Sequence, residues 1–163
     1  MKRLTRLGIT LLLVVTTWLA ATPTAHAAKL GPRPNWGACG ASSDENKMVY
    51  DYGSIELKCG GPKNSSSPTW GYRHIKWRHM DDFRRLASAG GLNWTDLVHW
   101  AIYYSAKDPD HVIVEEDTGC RDRLLYLHDK NGRLVWSQRF KVIYSAMSGA
   151  VITAYPTSAI CTR

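Results

Sequence analysis

Residues 70–82 read W-G-Y-R-H-I-K-W-R-H-M-D-D, and they decide both the helical half of the fold and where its chemistry lies. Two histidines, two arginines, a lysine, two tryptophans and a tyrosine crowd into this stretch. Histidine has the ordinary pKa nearest neutrality. Arginine offers a forked donor set that fits phosphate, and exposed aromatic rings stack on nucleobases. From Ile75 onward, Ile75, Phe83, Leu86 and Ala87 recur at helical spacing, and Gly90 and Gly91 stop the pattern. This predicts a helix over residues 75–89. On its wheel His74, Arg78, Asp81 and Arg85 share the polar side, while His79 falls beside Ile75 and Phe83 on the apolar side.

Downstream, Asn93 is set to cap a second helix over residues 94–106, with Asp96 three residues on, close to capping-box register. Leu97, Val98, Ala101, Ile102 and Ser105 form its expected buried face, and Pro109 prevents its continuation. Strands follow at residues 111–115, 123–128, 134–140, 142–145 and 151–155. Asn131 and Gly132 favour a tight hairpin between the second and third, because they tolerate positive φ. Upstream, residues 28–69 are rich in Gly, Pro, Ser and Asn and read as an irregular, disulfide-pinned arm, with a weak strand candidate at 48–59 and a loop at 60–68. The expected fold is α+β: two N-terminal helices packed on a C-terminal antiparallel β-meander of four to five strands, with the functional domain at residues 70–163.

The chain opens on a secretory pattern. A basic start at residues 1–6 leads into an apolar run at 7–20, and Ala25-His26-Ala27 is a small-x-small cleavage site. Cleavage after Ala27 removes three of the 21 basic residues and leaves 18 against 14 acidic ones. That mild excess is compatible with a polyanionic partner. The expectation is a secreted monomer of one domain with no stable membrane association after cleavage. Cys39, Cys59, Cys120 and Cys161 all follow the signal, and an even count in an exported chain predicts two disulfides. Three pairings are open. Cys39–Cys59 with Cys120–Cys161 is favoured, because each bridge then staples one end of the domain.

Metal-independent RNA cleavage requires a base for the 2′-OH, an acid for the leaving 5′-oxygen, and donors or cations around the phosphate. His74 and His79 are the candidate base and acid, in either order. Arg78, Thr153 and Tyr155 complete the candidate catalytic set, with Thr153 and Tyr155 one strand step apart on the same face. Arg73, Lys76 and Tyr72 are the candidate substrate-binding residues. Each has a structural alternative: a hydrogen-bonded core histidine, a solvated helix face, a pair of good strand formers. His99 and His111 read as surface or helix-end residues. No metal or cofactor is expected, since the His74 to His79 spacing lacks the i, i+4 register and glutamate of a zinc helix. Closely spaced cysteine ligands, a nucleophile elbow and a P-loop are likewise absent from the sequence.

Two helices followed by an antiparallel meander resemble the barnase–EndoU–colicin–RelE group of ribonucleases. Within it, the run from Gly71 to His79 and the final V-I-T-A-Y ending at Tyr155 resemble the R-H-I-x-x-R-H and terminal T-x-Y elements of bacterial toxin-type members. The resemblance covers residues 70–156. It implies a metal-independent endoribonuclease that leaves a 2′,3′-cyclic phosphate, with RNA as its partner. It carries roles onto His74 and His79, Arg73 and Arg78, Thr153 and Tyr155. Barnase-like members use a strand glutamate as base, a place that the resemblance does not assign to either Glu115 or Glu116. A secreted ribonuclease endangers its maker before export, so a protein inhibitor or disulfide-dependent activation is expected. The competing reading is a non-catalytic secreted binding module, with Trp70, Tyr72 and Trp77 forming an aromatic patch for a glycan, cell wall or protein partner.

Overall fold

A computed structural model describes residues 32–129 and 131–163; the expected signal sequence and cleavage site lie outside them. A 3-10 turn at Trp36–Ala38 precedes a hairpin of β1 (Met48–Asp51) and β2 (Glu56–Lys58). Two helices follow, α1 (Gly71–Ala89) and α2 (Trp94–Lys107). The chain ends in β3 (His111–Glu115), β4 (Thr118–His128), β5 (Leu134–Ser145) and β6 (Val151–Thr157). These last four strands form one antiparallel sheet in the order β3-β4-β5-β6. The α+β class and the meander are as expected. The order is not: the helices are mid-chain, with a two-stranded hairpin ahead of them.

The expected arm is also corrected. In its described part, residues 32–69, it supplies core. Val49, Tyr52, Ile55 and Leu57 of the hairpin are buried together with Ile75, Phe83 and Ala87 of α1 and Leu97, Val98, Ala101 and Ile102 of α2. Each fully buried aliphatic or aromatic side chain contributes about 1.5–3 kcal/mol, so the hairpin is part of what makes the domain stable. It is also tied to the main sheet, because Glu56 donates its N–H to the Gly149 carbonyl at 2.9 Å.

Helix α1 starts four residues earlier than its apolar period predicts. The Arg73 N–H donates to the Cys59 carbonyl at 3.0 Å, which satisfies one of the open donors of the first turn. The approach is close because both facing residues are glycines at positive φ, Gly60 at 73° and Gly71 at 77°. A Cβ on Gly71 would meet the Gly60 Cα at 2.5 Å. At the other end the Gly90 N–H donates to the Ala87 carbonyl at 3.0 Å and the Gly91 N–H to the Ser88 carbonyl at 3.2 Å. In α2, Asn93 Oδ1 accepts from the Thr95 N–H at 3.1 Å, and the five residues of the expected inner face are all buried. Phe83 of α1 stacks on Phe140 of β5 at 5.6 Å, which seats the helix on the sheet. The Trp136 indole N–H donates to the Leu86 carbonyl at 3.0 Å and fixes the helix further along.

Strand β5 is continuous where two strands were expected. β4 is longer than expected, starting at Thr118 after a two-residue turn in which Glu116 takes a φ of 50°. Paired residues across the sheet share a face. One row runs Tyr155–Lys141–Asp122–His111, and the next runs Thr153–Ile143–Cys120–Ile113. The bridges are Cys39–Cys59 and Cys120–Cys161, the favoured pairing. Among the described residues, no helix is long and apolar enough to cross a membrane.

Candidate active site

Helix α1 and strand β6 bring His74, His79 and Tyr155 together. The His79 imidazole stacks on the Tyr155 ring, with centroids 5.1 Å apart and planes at 23°. Further along, Asp82, Arg85 and Leu86 of α1 face Gln138, Pro156, Thr157 and Ser158 across a cleft of about 360 Å³. Residue numbers therefore rise in the same direction on both elements. Thr153, about 6.6 Å before Tyr155 on the strand, lies toward the His74 end of the helix. Its Oγ1 is buried, with no hydrogen-bond partner among the described residues, which puts it out of reach of a bound phosphate and against the expected catalytic role. Such an orphan costs stability wherever it serves no purpose.

His74 and His79 lie within reach of one another, their ring centroids 5.8 Å apart and nearly perpendicular. His74 Nδ1 is 2.8 Å from the Pro68 carbonyl. A carbonyl only accepts, so Nδ1 carries the proton and Nε2 is left for chemistry. His79 Nδ1 is 3.4 Å from Asp82 Oδ2. The other oxygen, Oδ1, accepts from Arg85 at 2.7 Å, which holds the carboxylate in place. The His79 pKa is lowered. Burial is the main cause, with His74 and Arg78 adding to it, while Asp82 pulls the other way. At neutral pH His79 is therefore mostly unprotonated, with Asp82 on one ring nitrogen.

Arg78 is exposed and forms no ion pair with a described residue. Lys141, paired directly with Tyr155, adds a second cation on the Tyr155 side of the sheet. Lys76 and Trp77 are exposed one turn away.

Two expected binding residues are elsewhere. Tyr72 is buried, packed between Trp36 at 5.4 Å and Trp94 at 6.3 Å, and what little of it is exposed borders a separate cleft beside Lys76 and Trp77. Arg73 is a structural clamp: its guanidinium donates to the carbonyls of Gly60, Gly40 and Ser43, the last two at 2.7 Å. The aromatic patch is reduced accordingly, since of Trp70, Tyr72 and Trp77 only Trp77 is more than half exposed, at 51 %. Glu115 and Glu116 sit at the β3–β4 turn, on the edge of the sheet opposite β6, and are no part of this site.

Sequence reasoning missed Asp82, although its i, i+3 spacing from His79 is visible in the chain. It missed Lys141, which only strand register pairs with Tyr155. It also misread His99 and did not pair His111, which lies near the surface as expected, with Asp122. His99 is buried, with Nδ1 3.2 Å from the Tyr52 hydroxyl, and burial lowers its pKa. His111 sits 3.0 Å from Asp122, a fully buried carboxylate that also binds Arg139 and accepts the Cys161 N–H at 2.6 Å. Burial alone would raise the Asp122 pKa, but these three partners outweigh it and hold the carboxyl below the usual range. That cluster anchors the C-terminal tail to the sheet. Among the described residues, no group of three or more His, Cys, Asp or Glu is arranged to hold a metal ion.

Two uncharacterised proteins of Mycobacterium tuberculosis, from strains CDC 1551 and H37Rv, are similar to the chain. Each is 28 % identical over 139 residues, an alignment that covers 74 % of this chain and 49 % of the relative. The chain thus matches about half the length of these relatives. No family model matches, and no solved structure matches at a significant level.

Proposed function

We propose that the protein is a secreted, metal-independent endoribonuclease. The observation that carries this reading is the pair of imidazoles, 5.8 Å apart, with one oriented by a carbonyl and the other by a carboxylate. His79 suits the base, because it is largely neutral at pH 7 and Asp82 at Nδ1 leaves Nε2 to accept a proton. It takes the proton of the ribose 2′-OH as that oxygen attacks phosphorus. His74, protonated at Nε2 and steadied through Nδ1 by Pro68, gives a proton to the departing 5′-oxygen. The products are a 2′,3′-cyclic phosphate and a 5′-hydroxyl. Arg78 and Lys141 offset charge on the phosphate oxygens, and the Tyr155 hydroxyl donates to them. Two disulfides suit an oxidising, extracellular setting. A protein inhibitor covering this groove in the producing cell belongs to the same proposal.

The test is incubation of the oxidised protein with total RNA, with and without EDTA, beside His74→Ala and His79→Ala. Cleavage is expected to persist in EDTA and to fall at least about 100-fold in either variant. Full activity in the His74→Ala protein would remove the assignment. A second reading, a non-catalytic module that binds a glycan or wall polymer, rests on the exposed Trp77 ring. It predicts no cleavage of any RNA by folded protein.

A further inference from the structure

Behind the catalytic pair, the loop at residues 65–68 and the outer side of α1 enclose a second cleft of about 500 Å³. Trp77 and Met80 give it an apolar wall, Lys76 a cation, and Ser65 and Ser66 hydroxyls. No carboxylate lines it, and the other lining cation, Arg73, is committed to backbone carbonyls. Trp77 leaves half its surface uncovered there. A free ammonium beside an exposed indole, with no competing acid, selects an anion that carries a flat ring. The cleft is also joined to the catalytic pair. Pro68 forms part of its wall and accepts the His74 Nδ1–H bond at 2.8 Å, and the Trp77 ring lies 6.0 Å from the His74 ring.

We propose that this cleft is a nucleobase-stacking subsite for single-stranded RNA. The identity of its ligand rests on the ribonuclease reading. The base next to the scissile phosphate stacks on Trp77, and Lys76 meets the following phosphate. Stacking on one indole face accepts any base, so the subsite favours unpaired strands over particular sequences. A duplex keeps its bases inside and cannot fill the cleft. Lys76 and Trp77 are thus binding residues outside the reacting set.

The test measures binding apart from cleavage. A fluorescein-labelled 2′-O-methyl RNA hexamer lacks the nucleophilic hydroxyl, so it binds without being cut. Its anisotropy is followed with wild-type protein, Trp77→Ala, Trp77→Phe and Lys76→Ala, each first shown to unfold at the wild-type temperature. The expected result is at least about fivefold weaker binding in Trp77→Ala, near-retention in Trp77→Phe, and weaker binding of the duplexed hexamer. Equal binding by wild type and Trp77→Ala overturns the subsite, while His74-dependent RNA cleavage in the same preparations leaves the nuclease reading standing. Trp77-dependent hexamer binding with no cleavage of any RNA keeps the subsite and removes the nuclease. Trp77-dependent binding of a cell-wall oligosaccharide without hexamer binding overturns the subsite.

Discussion

At the scale of the residue, the informative group is Asp82. It raises the His79 pKa, against the lowering caused first by burial and then by His74 and Arg78. Replacing Asp82 with Asn removes the raising partner, so the His79 pKa falls further below its ordinary 6.5. A base works only when unprotonated, so the acidic limb of kcat/KM moves to lower pH. The plateau rate drops by roughly tenfold or more, because the ring loses the partner that sets its tautomer. A pH–rate profile of Asp82→Asn beside wild type checks both. An unmoved limb would mean that His79 is not the base.

The same scale shows why some site residues were legible and others were not. His74, His79 and Tyr155 were picked out by chemical type, and the structure does gather them. The apolar period starts the helix at Ile75 and leaves Tyr72 and Arg73 outside any element, so it does not show which way their side chains turn. With the helix beginning at Gly71, Tyr72 joins the inward side shared by Ile75, His79 and Phe83. Arg73 then turns toward the carbonyls of the preceding segment. The missed turn of helix came from a contact distant in kind from any apolar period: two glycines touching.

At the scale of the element, α1 is positioned by that glycine contact at its N-terminus and by the Phe83–Phe140 stack further along. His74 lies three residues after Gly71, so the contact also sets the imidazole against Pro68. Gly71→Ala puts a methyl group within 2.5 Å of the Gly60 Cα, at a φ of 77° that alanine resists. Backbone cannot move aside as a flexible side chain can. The expected loss is about 2 kcal/mol or more from the strain and the overlap together. Urea unfolding measures it, and RNA cleavage falls alongside as the His74 turn shifts. Wild-type stability in this variant would show that the helix start is not held by the glycine pair. Strand β6 contributes differently. A bulge at Ile152 changes the register with β5 between Thr153 and Val151, so that Val151 and Ala154 are buried while Thr153 and Tyr155 share the opposite face.

At the scale of the molecule, the two bridges close the structure at opposite ends of the chain. Cys39–Cys59 holds the segment gripped by Arg73, and Cys120–Cys161 ties the C-terminal tail over the buried Asp122. Their sequence separations are 20 and 41 residues. Chain-entropy reasoning gives about 3–4 kcal/mol for each, slightly more for the longer loop. The double variant Cys120→Ser/Cys161→Ser is therefore expected to lose stability by about that amount in urea unfolding. It loses more if the tail lifts and Asp122 gives up the Cys161 N–H. A loss below about 1 kcal/mol would mean that the ion cluster alone holds the tail.

The sequence by itself determined the types of most elements, the cap at Asn93, the stop at Gly90, the cysteine parity and the identity of the central histidines. These are local properties: apolar period, turn chemistry and side-chain type act over a few residues, and such short-range signals survive without a structure. The tertiary structure alone decided that the hairpin before the helices belongs to the core and that Tyr72 and Arg73 face inward. It also paired Lys141 with Tyr155 and joined His111 to Asp122 across two strands. Those outcomes depend on strand register and on contacts between segments far apart in the chain. No spacing within one segment encodes which distant surface will cover it.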